Sequence, residues 1–204
     1  MNKDILNKAI MHLCRDKKLK KLVDKYPKPK FEINNNHFDA LTKSIIYQQL
    51  SGKVAKIIYT RYVNLFNKQS PVAKDCLKLN QQKLRSIGLS KQKINYIYNV
   101  SEFFINNQNR FDFHNMSEQE ISKNLISIKG IGPWTIDMFM MFTIFKLDVL
   151  PVGDLGIKKA FKELFNLDEL PSDKFMTVLS DKWRPYRTIA CCYLWMIVDD
   201  GDVW

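Results

Sequence analysis

Ile126-Ser127-Ile128-Lys129-Gly130-Ile131-Gly132-Pro133-Trp134-Thr135 is the stretch whose reading decides the fold. A Gly-Ile-Gly turn closed by proline and followed by an apolar run reads as a tight turn opening a helix. Gly130 and Gly132 can adopt φ > 0 and bring backbone N–H groups close to an anion. Pro133 suits the first position of the helix that follows. That helix's N-terminus adds free donors and a positive dipole end, which suits a phosphate. The same pattern also serves as an ordinary helix–turn–helix connection with a glycine C-cap, since short glycine motifs have low specificity.

Upstream, Ser117-x-x-Glu120 is a capping box that opens a first helix. Pro133 to Phe145 is then the second helix of a hairpin spanning 118–145. Downstream comes Val152-Gly153-Asp154-Leu155-Gly156-Ile157-Lys158-Lys159. Asp154 reads locally as an N-cap for a helix over Leu155 to Phe165. Apolar residues recur at helical spacing along almost the whole chain. Ile5, Leu6, Ala9, Ile10 and Leu13 mark a first helix that ends before Tyr26-Pro27-Lys28-Pro29. Further helices are expected over Phe38 to Leu50, Val54 to Phe66, Pro71 to Leu79, 81–87, Lys91 to Ile105, Ser172 to Ser180 and Pro185 to Val198. Strand-like alternation is nearly absent, with a short extended piece at Phe31-Glu32-Ile33. The fold class is therefore all-α, with about ten helices.

Composition narrows the partners. The chain has 204 residues, a net charge of +11 and a pI near 9.4. That balance favours a polyanion, although a generally lysine-rich proteome produces it too. Cys14, Cys76, Cys191 and Cys192 lack C-x-x-C spacing, so they read as reduced, buried thiols rather than cluster ligands. His12, His37 and His114 are scattered, and no zinc site is expected. The N-terminus is too charged for a secretory signal, and no apolar run is long enough for a membrane span. The expected location is cytoplasmic beside the nucleoid in a bacterium, or nuclear in a eukaryote.

Four blocks in order carry a family resemblance. They are Tyr47-Gln48-Gln49-Leu50-Ser51, Gly88-Leu89-Ser90-Lys91-Gln92-Lys93, Lys129 to Thr135 with Val152-Gly153-Asp154, and Trp183-Arg184-Pro185-Tyr186-Arg187 with Tyr193-Leu194-Trp195. Together they resemble the helix-hairpin-helix (HhH-GPD) DNA glycosylases, in the DNA-3-methyladenine glycosylase II branch. The resemblance covers residues 37 to 197. It implies one glycosylase unit over 1–204 with two helical lobes and the active cleft between them. One lobe would join the N-terminal and C-terminal helices, and the other would hold about 52–145.

The resemblance also implies roles. Asp154 would be the catalytic acid, stabilising the oxocarbenium-like sugar as the N-glycosidic bond breaks and orienting water. Trp134 stands where bifunctional relatives carry a lysine nucleophile, so no Schiff base and no strand cleavage are expected. Trp134, Trp195 and Tyr47 would wall the base pocket, an indole face attracting a cationic alkylated purine. Gln49 would fill the gap left by the extruded nucleotide, with Leu50 as substitute and Ser51 beside it. Lys129, Gly130, Ile131, Gly132, Thr135 and Lys158 would contact the DNA backbone. The carbonyls of Ile126, Ile128 and Ile131 would hold a monovalent cation. No other cofactor and no iron–sulfur cluster is expected. The expected partner is double-stranded DNA with 3-methyladenine or 7-methylguanine, bound by a monomer with no membrane attachment. Hypoxanthine removal on the same fold, or a non-catalytic hairpin DNA-binding module, are the alternatives.

Overall fold

The computed structural model describes residues 2–31, 34–67, 70–107 and 110–198. Among them there are twelve α-helices and one 3-10 turn, and no strand. Glu32 and Ile33 of the expected extended piece lie outside the described residues. Among the described residues no helix is long and apolar enough to cross a membrane.

The chain forms two compact units, Met1–Ile33 with Met140–Trp204, and Asn34–Phe139. In the first unit the organising element is α12 (Arg187–Val198), whose residues from Arg187 to Met196 are all buried. A helix that is apolar all round has no face to offer water, so it becomes the core. Against it pack α1 (Lys3–Leu13), α2 (Lys17–Lys25) and α10 (Leu155–Phe165). Phe161 of α10 stacks at a tilt on Trp183 with ring centroids 5.4 Å apart. Trp183 belongs to the 3-10 turn Asp181–Trp183, which follows α11 (Asp173–Leu179).

The N-terminal region is two helices, not the single one expected. Asp16 interrupts the run: its side chain accepts the Lys18 N–H at 2.8 Å and caps α2. The same carboxylate accepts the Trp183 indole N–H at 2.9 Å and pairs with Lys182 at 2.7 Å. Burial, the largest single influence, raises the pKa of this carboxyl, but those donors together hold it below the ordinary carboxylate value.

In the second unit α7 (Lys91–Asn106) is the spine. On it pack α3 (His37–Tyr47), α5 (Ala73–Cys76) and α6 (Gln81–Ser86), while α4 (Gly52–Asn64) packs on α3. Leu41, Ile45, Tyr62, Leu84, Ile94 and Ile97 are buried there. Fully burying such side chains contributes about 1.5–3 kcal/mol each. The Ser117–Glu120 capping box is formed in full and opens α8 (Glu118–Leu125), and α9 (Pro133–Phe142) begins at its proline.

Among the other boundaries that differ from expectation, those of α3, α9 and α12 bear on the site. α3 stops at Tyr47 instead of Leu50, because Gln49 turns left-handed at φ 57°. α9 stops at Phe142 instead of Phe145, because Phe145 also turns left-handed (φ 60°) and Lys146 N–H donates back to the Met140 carbonyl at 2.8 Å. α12 starts at Arg187, two residues after Pro185. In the hairpin turn Gly130 uses its left-handed freedom at φ 107°, whereas Gly132 does not. Gly132 precedes a proline, which disfavours the helical region for it.

Candidate active site

The site residues fall into two groups, one in each unit. Asp154 anchors the first. It is 8 % exposed and is the N-cap of α10. Its Oδ1 accepts the Ile157 N–H at 2.8 Å and the Trp195 indole N–H at 2.9 Å. One donor belongs to the helix the acid caps, the other to α12. Two donors from different elements on one oxygen fix the direction of the carboxylate. Gly156 makes the approach feasible: a Cβ there would stand 3.0 Å from Asp154 Oδ1 and 3.1 Å from Trp195 Cδ1.

The loop that delivers Asp154 is tied to the start of α12. Arg187 donates to Asp148 Oδ1 and to the Asp148 carbonyl, both at 2.7 Å, and Arg184 also pairs with Asp148. Thr188 donates to the Lys146 carbonyl at 2.7 Å, and the Val149 N–H donates to Thr188 at 3.1 Å. Arg187 therefore straps this loop. Lys158, expected at a phosphate, forms an ion pair with Asp173 at 2.8 Å.

Trp195, expected at the base pocket, lies deep in the first unit beside Asp154. Only 2 % of its surface is exposed, its N–H is committed to Asp154, and its ring meets Phe142 with centroids 5.9 Å apart. The indole N–H thus helps to fix the direction of the carboxylate.

The second group gathers the hairpin and the Gln48–Ser51 segment. Gln48 donates its amide to the Gly130 carbonyl at 3.1 Å and to Thr135 Oγ1 at 2.9 Å. Thr135 is buried, so its hydroxyl serves this internal bond. Lys93 donates to the carbonyls of Ile46 and Gln48 at 2.7 and 2.8 Å, which closes the C-terminus of α3. Burial holds the Lys93 ammonium below its ordinary value. Asn99 donates to the Lys129 carbonyl at 2.9 Å. The Tyr96 ring lies against Gly130 so closely that a Cβ would come within 2.1 Å of it.

Gln49, Leu50 and Ser51 are exposed at the turn, as is Lys129 in the hairpin. Trp134 is half-buried on the first turn of α9. Tyr47 is buried, its ring edge-on to Tyr59 at 6.5 Å with the Lys43 ammonium 5.7 Å from its centroid. Burial pushes its hydroxyl above the ordinary phenol value. Tyr59 in turn donates to the buried Asp39 at 2.7 Å. Ile126 is exposed, while Ile128 and Ile131 are buried, with the Ile131 N–H donating to the Ile128 carbonyl at 2.9 Å. A carbonyl oxygen keeps a second lone pair, and such hard donors suit an alkali cation. Among the described residues no cluster of three or more His, Cys, Asp or Glu side chains could hold a metal ion.

A family model described as HhH-GPD superfamily base excision DNA repair protein matches residues 42–185, which include the hairpin and Asp154. The chain belongs to the HhH-GPD superfamily. Among its relatives, the structure of Schizosaccharomyces pombe 3-methyladenine DNA glycosylase (Mag1), in complex with abasic DNA, superimposes with a TM-score of 0.85. The two are 30 % identical, over 93 % of this chain and 95 % of that one. The structure of DNA-3-methyladenine glycosidase from Bacillus halodurans gives a TM-score of 0.73 at 34 % identity, covering 90 % of this chain and 85 % of that one. YfjP of Bacillus subtilis is 31 % identical over 79 % of this chain, which spans 59 % of YfjP's length.

Four residues that hold this HhH-GPD site carried no assignment in the sequence: Gln48, Lys93, Gly156 and Arg187. Each lies in or beside a quoted block. Their partners, though, are up to 82–87 residues away for Gln48 and 39 away for Arg187, beyond the reach of any local pattern.

Proposed function

We propose that this chain is a monofunctional DNA glycosylase that hydrolyses the N-glycosidic bond of alkylated purines in double-stranded DNA. The observation that carries the reading is the buried Asp154, aimed by the Ile157 N–H and the Trp195 indole N–H. When the glycosidic bond breaks, positive charge develops on the sugar. A carboxylate held in place stabilises that charge without reorganising and orients the attacking water. A cationic leaving base such as 3-methyladenine or 7-methylguanine departs neutral, so no second acid is required. Trp134 offers an indole face to such a base, a contact of about 0.5–2 kcal/mol. Tryptophan has no nucleophilic amine, which is why the strand stays intact. The hairpin contributes backbone N–H groups that hold phosphates without reading sequence. An alkali cation on the carbonyls of Ile126, Ile128 and Ile131 would add positive charge at that turn. The names of the Schizosaccharomyces pombe and Bacillus halodurans relatives support the substrate class.

Incubating the purified chain with methylated duplex DNA and separating the released bases tests this. The wild type releases 3-methyladenine and 7-methylguanine and leaves an uncut abasic strand. Asp154→Asn binds the DNA but loses about a hundredfold or more in rate. Normal excision by Asp154→Asn would overturn the mechanism. Salt-sensitive DNA binding with no base released would instead favour a binding module.

A further inference from the structure

The exposed turn after α3 is strained and anchored at once. Gln49 holds a left-handed backbone (φ 57°) without being glycine. Such a conformation persists only where the surroundings impose it. Here two anchors impose it, both through the preceding residue. Lys93 grips the Gln48 carbonyl, and the Gln48 side chain bridges to the Gly130 carbonyl and Thr135 Oγ1. Gln48 thus stands between an exposed tip, Gln49 and Leu50, and the hairpin turn. Lys93, Tyr96 and Asn99 lie on one face of α7 and brace the two sides together, Lys93 on the tip and the other two on the hairpin.

We propose that Gln48 is a positioning residue that couples seating of the hairpin on the DNA backbone to insertion of the Gln49–Leu50 tip into the base stack. The proposal rests on the glycosylase reading only for the purpose of the insertion. The coupling itself is a property of the second unit. Binding the phosphates fixes Gly130 and Thr135. Gln48 then holds the tip at one height above them, so unstacking begins when the hairpin docks.

Gln48→Glu keeps the size of the side chain but loses both amide donors. Thr135→Val removes the acceptor at the other end and serves as the second variant. Two readouts separate coupling from general damage. The first needs no chemistry: fluorescence of 2-aminopurine beside an abasic analogue in a duplex, at saturating protein. The wild type raises it, and both variants raise it much less. The second is single-turnover release of 7-methylguanine from two duplexes, one pairing it with cytosine and one placing it opposite an abasic site. A base without a partner needs less help to leave the stack. The variants therefore slow release from the paired duplex about tenfold and from the unpaired one about twofold or less.

Wild-type fluorescence from both variants, or equal slowing on both duplexes, overturns the coupling. If the wild type releases no base at all, the glycosylase reading falls while the fluorescence still decides the coupling. If Gln48→Glu unfolds, Thr135→Val alone decides.

Discussion

Replacing Gly156 with alanine isolates the geometry on which the Asp154 assignment stands. On helix propensity alone the change is favourable, by about 1 kcal/mol. The backbone at Gly156 is not left-handed, so alanine fits its conformation. The added methyl, however, stands 3.0 Å from Asp154 Oδ1, 3.1 Å from Trp195 Cδ1 and 3.2 Å from Trp195 Nε1. Neither neighbour moves freely: the carboxylate caps α10, and the indole is buried in the core. Overpacking of this kind costs about 1–3 kcal/mol. The two effects leave a net loss of stability between none and about 2 kcal/mol. The rate responds more. A few tenths of an ångström opens the 2.9 Å bond between Trp195 and Asp154. A hydrogen bond to a carboxylate is worth about 1.5–3 kcal/mol. If all of it acts on the transition state, release of methylated purines slows roughly tenfold to a hundredfold. Single-turnover kinetics with urea unfolding of the same preparation measures both. Trp195→Phe keeps a ring and deletes the N–H. Because it breaks the same contact, the double variant should be little slower than either single one. A Gly156→Ala protein that is more stable and equally fast would refute the reasoning, since it would mean that the Trp195–Asp154 bond does not aim the acid.

Two further expectations follow from other parts of the chain. At Gly130 an alanine meets a left-handed backbone at φ 107° and a Cβ 2.1 Å from Tyr96 Cγ, so Gly130→Ala should cost about 2–4 kcal/mol in urea unfolding. Tyr96→Ala in the same chain should return part of that loss, and no recovery at all would show that the ring is not what opposes the added methyl, leaving the backbone and the residue-96 Cβ at 2.6 Å. The His37 imidazole is held below its ordinary 6.5 by burial and then by His114, with Asp112 opposing. As pH falls below 6.5, the unfolded chain therefore takes up the proton before the folded one, and stability declines until the folded group titrates. Wild type should lose more stability between about pH 7 and 5 than His37→Gln, and identical pH profiles would contradict this.

Much of the architecture was legible because helices announce themselves locally. The Ser117–Glu120 box, Pro133 at the first position of α9 and Asp154 before α10 are signals contained within four residues, and the structure uses each of them. The misreadings share a cause. Between α1 and α2 the apolar rhythm continues, and the break at Asp16 is held by Trp183 and Lys182, more than 160 residues later. α3 and α9 both end early, two and three residues before left-handed Gln49 and Phe145, neither of which is glycine. No propensity marks such residues, because their surroundings hold them in place.

The site divides the same way. The sequence by itself determined that Asp154 would cap a helix, that Gly130 would turn the hairpin, and that tryptophan rather than lysine would follow Pro133. These follow from covalent geometry and short-range hydrogen bonding, which act over a few residues. Only the tertiary structure decided that Trp195 bonds Asp154, that Gly156 leaves room for that bond, and that Gln48 joins the exposed tip to the hairpin. Those relations join groups 41 to 87 residues apart, or depend on the space left between packed side chains. Neither quantity is encoded in spacing along the chain; both arise when burial brings distant surfaces into contact.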